Sequence, residues 1–373
     1  MGVHDVLRRG FDGPGGRGKR LAHDAGLSHM NSPAAGGDLQ AAGPQSFKTA
    51  AVVVTRNRRS LLEECLDAID AQTIRPDLVI VVDNASTDDT PEFLQRYREP
   101  QYQIVRLATN VGGAGGFSHG LRLAAELAVD FIWIMDDDCI PAETALEELL
   151  RAAAELRSDG IDFSFVCSRV VDLSGVACNH PVPSTTRNQS GWPRWADLAD
   201  RGLVLVDECT FVSVALSATH VRRAGLPLRQ MFIWGDDTEY TRRLSTQAPG
   251  VFVGNSHVLH KRLLKGELSV FNDEVPGRLP FYRHHYRNRM YLYRHYFPRG
   301  RYFALLVEIM WDMLRLLGQG QPKRAALVGR GFVEGLFFHP PVEQLDEQPS
   351  RKLASDHSAP ISPARTPREN RLP

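Results

Sequence analysis

The chain has 373 residues, 43% of them hydrophobic, with 44 basic and 44 acidic side chains and a formal charge of zero. That is enough for one large domain or two modest ones, and the balanced charge argues against a nucleic-acid binder, which is basic as a rule. Five widely spaced cysteines, Cys65, Cys139, Cys167, Cys178 and Cys209, include no Cys-x-x-Cys pair; they disfavour a disulfide framework or a zinc site and suit a reducing compartment. With no secretory signal and no run of about 18 apolar residues, a cytoplasmic setting without a membrane span is expected.

Residues 1–47, rich in Gly, Ala, Arg and Ser, read as a disordered leader. Residues 49–55 form a short β-rich run of the kind that a buried parallel strand requires. Ser60 then opens a helix, with Glu63 completing a capping box and Leu61, Leu62, Cys65, Leu66 and Ile69 on one face. Leu78 to Val82 is a second strand ending at Asp83, and Thr90-Pro91 starts a second helix. Ile104 to Leu107 is a third strand, followed by a glycine-rich turn and a helix through Leu121 to Leu127. Phe131 to Met135 is a fourth strand ending at three aspartates, after which Pro141 opens another helix. Strands alternating with helices predict right-handed βαβ units and a mostly parallel α/β sheet. Beyond residue 160 the pattern loosens, with strands expected at 204–214 and 251–253 and a loop running into a helix over 231–240. Residues 281–340 read as amphipathic helix. The expected organisation is a domain over 48–262, divided near 158 into a nucleotide half and an acceptor half, then a basic, aromatic helical extension over 263–342 and a disordered tail over 343–373.

In open α/β sheets ligands bind beyond the carboxyl ends of the strands, and Asp83, Asn110 and Asp136 to Asp138 all fall at such ends. Three adjacent carboxylates after a buried strand need a cation to balance them; oxygen ligands favour Mg²⁺ or Mn²⁺ shared with substrate phosphates. The bland alternative is a solvated acidic turn. The 83–88 loop either accepts hydrogen bonds from a base or ribose or merely caps the next helix. The stretch Asn110-Val111-Gly112-Gly113-Ala114-Gly115-Gly116 allows close backbone approach to a phosphate, yet it is neither a P-loop nor a Gly-x-Gly-x-x-Gly fingerprint. Asp236 and Asp237, beside Trp234, are either a general base or an acidic pair favoured by a helix N-terminus. His257 and His260 are rivals as a third, imidazole ligand beside carboxylates. The arginines from Arg283 through Arg287 to Arg301, interleaved with tyrosines, suit phosphate contacts or a membrane interface, or form a solvated basic face.

Six motifs in order, Val-Val-Val-Thr-Arg-Asn-Arg (52–58), Cys-Leu-Asp-Ala-Ile-Asp-Ala-Gln-Thr (65–73), Val-Asp-Asn-Ala-Ser-Thr-Asp (82–88), Asn-Val-Gly-Gly-Ala-Gly-Gly-Phe (110–117), Trp-Ile-Met-Asp-Asp-Asp (133–138) and Trp-Gly-Asp-Asp-Thr-Glu-Tyr (234–240), resemble the inverting GT-A glycosyltransferases of family 2, within them the rhamnosyl- and galactofuranosyl-transferase group. The resemblance covers residues 49–296 and implies a GT-A, Rossmann-like fold. It also implies transfer of a sugar, galactofuranose or rhamnose, from a UDP- or dTDP-sugar to a glycan or polyprenyl-diphosphate-linked glycan in cell-wall or surface polysaccharide synthesis, at the inner face of the membrane. By the same resemblance Thr55, Asp83, Asn110, Gly112, Gly113, Asp136 and Asp137 hold the donor, Asp138 and His260 bind Mg²⁺ or Mn²⁺, Asp237 is the base, and Trp234, Asp236 and Arg287 meet the acceptor. A sugar nucleotidyltransferase and a non-catalytic nucleotide-sugar-binding protein are the competing readings; the first would carry a glycine-rich basic loop after the first strand, and Thr55-Arg56-Asn57-Arg58 has no glycine.

Overall fold

The computed structural model describes residues 47–261 and 269–345; the leader up to residue 46 and the tail from 346 lie outside the described residues. The elements are β1 (Thr49–Thr55), α1 (Arg59–Asp70), β2 (Leu78–Asp83), α2 (Thr90–Leu94), β3 (Tyr102–Arg106), α3 (Gly112–Ala125), β4 (Phe131–Asp136), β5 (Cys139–Pro141), α4 (Ala145–Ser158), β6 (Phe165–Val171), β7 (Val182–Pro183), β8 (Leu203–Glu208), β9 (Val212–Ser217), α5 (Ala218–Ala224), α6 (Asp236–Ser245), β10 (Gly250–His260), α7 (Tyr282–Tyr296), α8 (Arg299–Gly318) and α9 (Pro322–Phe337). They build one sheet in the order β3-β2-β1-β4-β9-β6-β10-β8-β7, with β5 paired to β10. β1 is parallel to β2 and β4, β2 to β3, and β6 to β10. β9 runs antiparallel to both β4 and β6, so β1 to β4, β6 and β10 share one direction.

β1 is buried along its whole length, which explains its unbroken apolar run: a central parallel strand is covered on both faces. Alternate residues feed two cores. Ala51 and Val53 join α1 and α4 on one side, while Ala50, Val52 and Val54 join α3 on the other. The glycines of α3 set the second packing distance. A Cβ at Gly116 would stand 2.5 Å from a Val54 methyl and one at Gly120 2.3 Å from a Val52 methyl, so only glycine lets this helix lie so close to β1.

Local signals failed at two helix starts, one for a local reason and one for a tertiary reason. α1 begins at Arg59 with Arg58 at its N-cap and no side-chain cap; the expected Ser60–Glu63 box is absent, and Glu63 pairs with Arg59 instead. Pro141 opens no helix. Residues 139–141 pair with β10, Cys139 opposite His260 and Pro141 opposite Val258, and α4 starts at Ala145. The strand expected over 204–214 is two strands broken at 209–211, and that expected at 251–253 extends to His260.

α7, α8 and α9 pack on one another around Tyr282, Tyr286, Met290, Leu305, Ile309, Leu316 and Val328. α7 is bound to the sheet domain by Asn288, whose amide donates to the carbonyls of Met231, Ile233 and Trp234 at 2.8–3.0 Å. Behind α9 the chain returns to the body, where Leu226 N donates to the Glu343 carbonyl at 2.8 Å.

Candidate active site

The carboxyl ends of β1, β2 and β4 lie side by side, Thr55 in register with Asp83 and Val54 with Asp136. Thr55 Oγ1 donates to Asp137 Oδ2 at 2.7 Å. Arg58 Nη1 bridges Asp137 Oδ1 at 3.0 Å and Asp138 Oδ2 at 3.1 Å. β5 then brings β10 alongside, and His260 Nε2 lies 3.1 Å from Asp138 Oδ1. The other imidazole nitrogen, Nδ1, donates to Asn179 Oδ1 at 3.0 Å, and Asn179 in turn donates to Thr210 Oγ1 at 3.1 Å. With Nδ1 so occupied, Nε2 is the nitrogen facing the carboxylate, the arrangement that a histidine ligand needs. His257 points elsewhere: it is exposed, and its ring nitrogen meets the Gly254 carbonyl.

Three neighbouring carboxylates with one arginine are not equally ionised. Burial, then the charges of Asp138 and Asp137, holds the Asp136 carboxyl well above the usual range. Burial lifts Asp137 to about 6 in spite of Arg58. For Asp138 burial acts upward too, but the hydrogen bond and charge of His260, with Arg58, outweigh it and hold the carboxyl low. The cluster is therefore short of positive charge at neutral pH, and a divalent cation would relieve it. Asp138, Cys139 and His260 each offer a ligand atom within 4.8 Å of the others. Burial pushes the Cys139 thiol up and keeps it neutral, which leaves a carboxylate oxygen and an imidazole, donors that suit Mn²⁺ or Mg²⁺ completed by phosphate and water.

Asp83 is buried; its Oδ1 accepts from Ser86 N at 2.8 Å, while Oδ2 lacks a hydrogen-bond donor and is 3.5 Å from Arg106. Asn84 ties this loop to the next, accepting from Val111 N at 2.9 Å and donating to the Gly112 carbonyl at 2.9 Å. Asn110 Oδ1 accepts from Gly112 N at 2.9 Å. Gly112 itself has φ +76°, and a Cβ there would meet the Phe232 carbonyl oxygen at 2.1 Å. Its lack of a side chain thus serves contact with the 231–235 segment, which Ala114 N seals by donating to Phe232 O at 3.1 Å. Gly113 faces open space.

That segment is strained: Phe232 and Trp234 have φ of 66° and 64°, and Asn57, Ala85 and Asn179, on other site loops, are also left-handed. It delivers Asp236 and Asp237 to the first turn of α6. Asp237 Oδ1 accepts from Thr238 N at 2.8 Å; burial raises its carboxyl to about 6. Burial and the neighbouring Asp237 raise Asp236 to about 8, and Asp236 is the member of the pair whose charge reaches Asp136. Glu239 of the same motif is fully buried; it is gripped by a two-pronged bond from Arg243 one turn on in α6, and it holds the helix to α7 by accepting from the Tyr296 hydroxyl at 2.9 Å. Arg287 turns away from solvent: its guanidinium donates to the Gln230 and Met231 carbonyls at 2.7 and 3.0 Å, so it shapes this segment from behind. Arg289 and Arg294 are likewise engaged, with Glu308 and with the carbonyls of Gly335 and Phe338. Sequence reasoning passed over Arg58 and Asn179, the two side chains that organise the acidic cluster; Arg58 lay inside a quoted motif, whereas nothing local marks Asn179.

The mostly parallel α/β sheet with acidic side chains at its strand ends is the architecture of a GT-A fold, and the glycosyl transferase family 2 model matches residues 50–198. The chain belongs to this family of glycosyltransferases. It is 32% identical over 205 residues to galactofuranosyltransferase GlfT1 of Mycolicibacterium smegmatis, a match spanning 52% of this chain and 64% of that protein, a little under two thirds of its length. It is 30% identical over 256 residues to GlfT1 of Mycobacterium tuberculosis, covering 64% of this chain and 80% of the relative. Among solved structures it is similar to S. aureus TarS 1–349 in complex with UDP-GlcNAc, with TM-score 0.47 and 15% identity over 78% of this chain and 88% of that one. It is also similar to the mannosyltransferase PcManGT of Pyrobaculum calidifontis in complex with GDP-Man and Mn²⁺, with TM-score 0.46 and 16% identity over 79% and 88%.

Proposed function

We propose that the protein is an inverting, metal-dependent galactofuranosyltransferase that uses UDP-galactofuranose and extends a polyprenyl-diphosphate-linked glycan in cell-wall synthesis, working at the inner face of the cytoplasmic membrane. The observation that carries this reading is the meeting of Asp138 and His260 beside Asp136 and Asp137 at adjoining strand ends, in a chain whose aligned relatives are named galactofuranosyltransferases.

In this reading Asp83, whose buried Oδ2 has the charge of Arg106 at 3.5 Å but no hydrogen bond, accepts from the nucleotide base, which supplies the missing donor. Asp136 takes the ribose, and Thr55 and Arg58 hold Asp137 in place. Asp138 and His260 hold Mn²⁺ or Mg²⁺, which when bound stabilises the negative charge of the departing diphosphate. Asn110, Gly112 and Gly113 border the donor, and Trp234 and Asp236 border the acceptor. Asp237, lifted by burial to about 6, removes the proton from the acceptor hydroxyl, which attacks the anomeric carbon on the face opposite the leaving group; one displacement inverts the configuration.

Incubation with UDP-galactofuranose, Mn²⁺ and a polyprenyl-diphosphate-linked glycan should release UDP and add one hexose to the lipid by mass spectrometry. Turnover with dTDP-rhamnose alone would move the donor. Pyrophosphate formation from a sugar phosphate and UTP would replace the reading with a nucleotidyltransferase, and donor binding without turnover would leave a binding protein.

A further inference from the structure

The outward face of α8 has no partner among the described residues. Phe303, Val307, Met310, Leu314 and Leu317 recur at spacings of three and four, one stripe of a helix, and Trp311 widens it. All six are more than half exposed, Val307 at 70% and Trp311 at 68%. α9 adds Val333 and Phe337, the latter 79% exposed. Six such side chains on one helix reach roughly the 300–600 Å² that the largest apolar patch of an ordinary monomer attains, and a patch of that size marks an interaction surface.

Charge says what covers it. Residues 299–337 carry six basic side chains and three acidic ones in a chain whose total is neutral. The acids are turned inward or engaged: Glu308 binds Arg289 of α7, Asp312 accepts from the Tyr286 hydroxyl at 2.9 Å, and Glu334 pairs with Arg330. Arg299, Arg301, Arg315 and Lys323 are exposed, and none of the four forms an ion pair among the described residues; Arg301 and Arg315 lie over the rings of Phe297 and Phe271. An apolar stripe with a tryptophan and a basic rim is the pattern of a helix lying in an anionic interface. A second copy of the chain would set these cations against one another. No described helix is long and apolar enough to cross a membrane, so this face would rest on a bilayer.

We infer that α8, with the end of α9, is the surface by which the protein docks on an anionic lipid bilayer. Since α7 joins this helical unit to the 231–235 segment through Asn288, docking holds the candidate acceptor side near the lipid. This inference stands apart from the catalytic reading: vesicle binding can fail while transfer to a soluble acceptor persists, and the reverse.

The test is flotation of the full chain with phosphatidylglycerol-containing vesicles and with neutral phosphatidylcholine vesicles, at low and high salt. The protein should float with the anionic vesicles and less so as salt rises. Val307→Glu with Leu314→Glu, and separately Arg301→Glu with Lys323→Glu, should each lower binding at least tenfold while nucleotide binding is unchanged. If the first pair fails to fold, the rim pair, at exposed positions, decides. Equal binding to neutral vesicles, no flotation, or indifference to both pairs would overturn the inference. So would a concentration-dependent dimer that is lost in Val307→Glu/Leu314→Glu without any vesicle binding, which would hand the face to a second copy.

Discussion

Two aspartate groups in this molecule set the same side chain among different neighbours, and one member, Asp138, parts from all the others. Asp136 to Asp138 follow a buried strand and have company: Arg58 bridges Asp137 and Asp138, and His260 meets Asp138 as well. Asp236 and Asp237 open a helix and have no ion-pair partner among the described residues. The difference shows in the proton of one residue, since burial raises Asp136 and Asp137 as it does the helix pair. Asp138 is held low through His260 and Arg58, whereas Asp237 is raised to about 6 and Asp236 to about 8, by burial first. A carboxylate kept ionised beside an imidazole suits a cation, and one near its protonation midpoint suits a proton. Acidic sequence alone does not separate these roles; the neighbours do.

The strongest way to break this contrast is to remove the oxygen assigned to the cation. Asp138→Ala should lower transfer by roughly 10³-fold, the scale on which charge stabilisation at a reacting centre acts, and abolish Mn²⁺ binding measured by calorimetry. Retained Mn²⁺ binding would move the cation elsewhere. Next comes the base. Asp237→Asn should cost about 10²–10⁴-fold in kcat with donor affinity kept. In the unaltered enzyme kcat should climb to a plateau as pH rises through about 6, because burial keeps this carboxyl protonated in more acidic solution, and that limb should vanish in the variant. If Asp236→Asn carries the larger loss, the two residues exchange roles.

Smaller effects sharpen the supporting structure. Asn179→Leu removes the acceptor for His260 Nδ1 and should weaken Mn²⁺ binding by about 10–100-fold, as loss of an outer partner of a metal-binding histidine does, with the fold unchanged by circular dichroism. Gly112→Ala puts a methyl against the Phe232 carbonyl at a left-handed backbone position. It should cost about 2 kcal/mol of stability in urea unfolding, and unaltered stability would mean that the two segments are not pressed together.

The parallel half of the sheet was legible because burial on both faces writes itself as unbroken runs such as 50–54, and strand ends announce themselves by the polar residues that follow. What the sequence hid was non-local. The pairing of Cys139–Pro141 with Val258–His260 overrides a proline that reads as a helix start, and the same pairing brings His260 to Asp138. The glycines over 112–116 read as a ligand loop, while at three of the four, Gly112, Gly115 and Gly116, a Cβ would press on neighbouring atoms: a glycine records a close approach without saying to what. The arginines of α7 read as a phosphate-binding or solvated face, yet Arg287 and Arg294 donate to backbone carbonyls, partners that leave no sequence trace.

The central claim, that this chain moves a sugar at the Asp138–His260 site with an aspartate of α6 as base, is tested most directly by mass spectrometry of one reaction. UDP-galactofuranose, Mn²⁺ and a polyprenyl-diphosphate-linked glycan are incubated with the unaltered protein, with Asp138→Ala and with Asp237→Asn. The account predicts one hexose added to the lipid by the unaltered protein only, with donor binding kept in Asp237→Asn. Equal product from all three, or none from any, would contradict it.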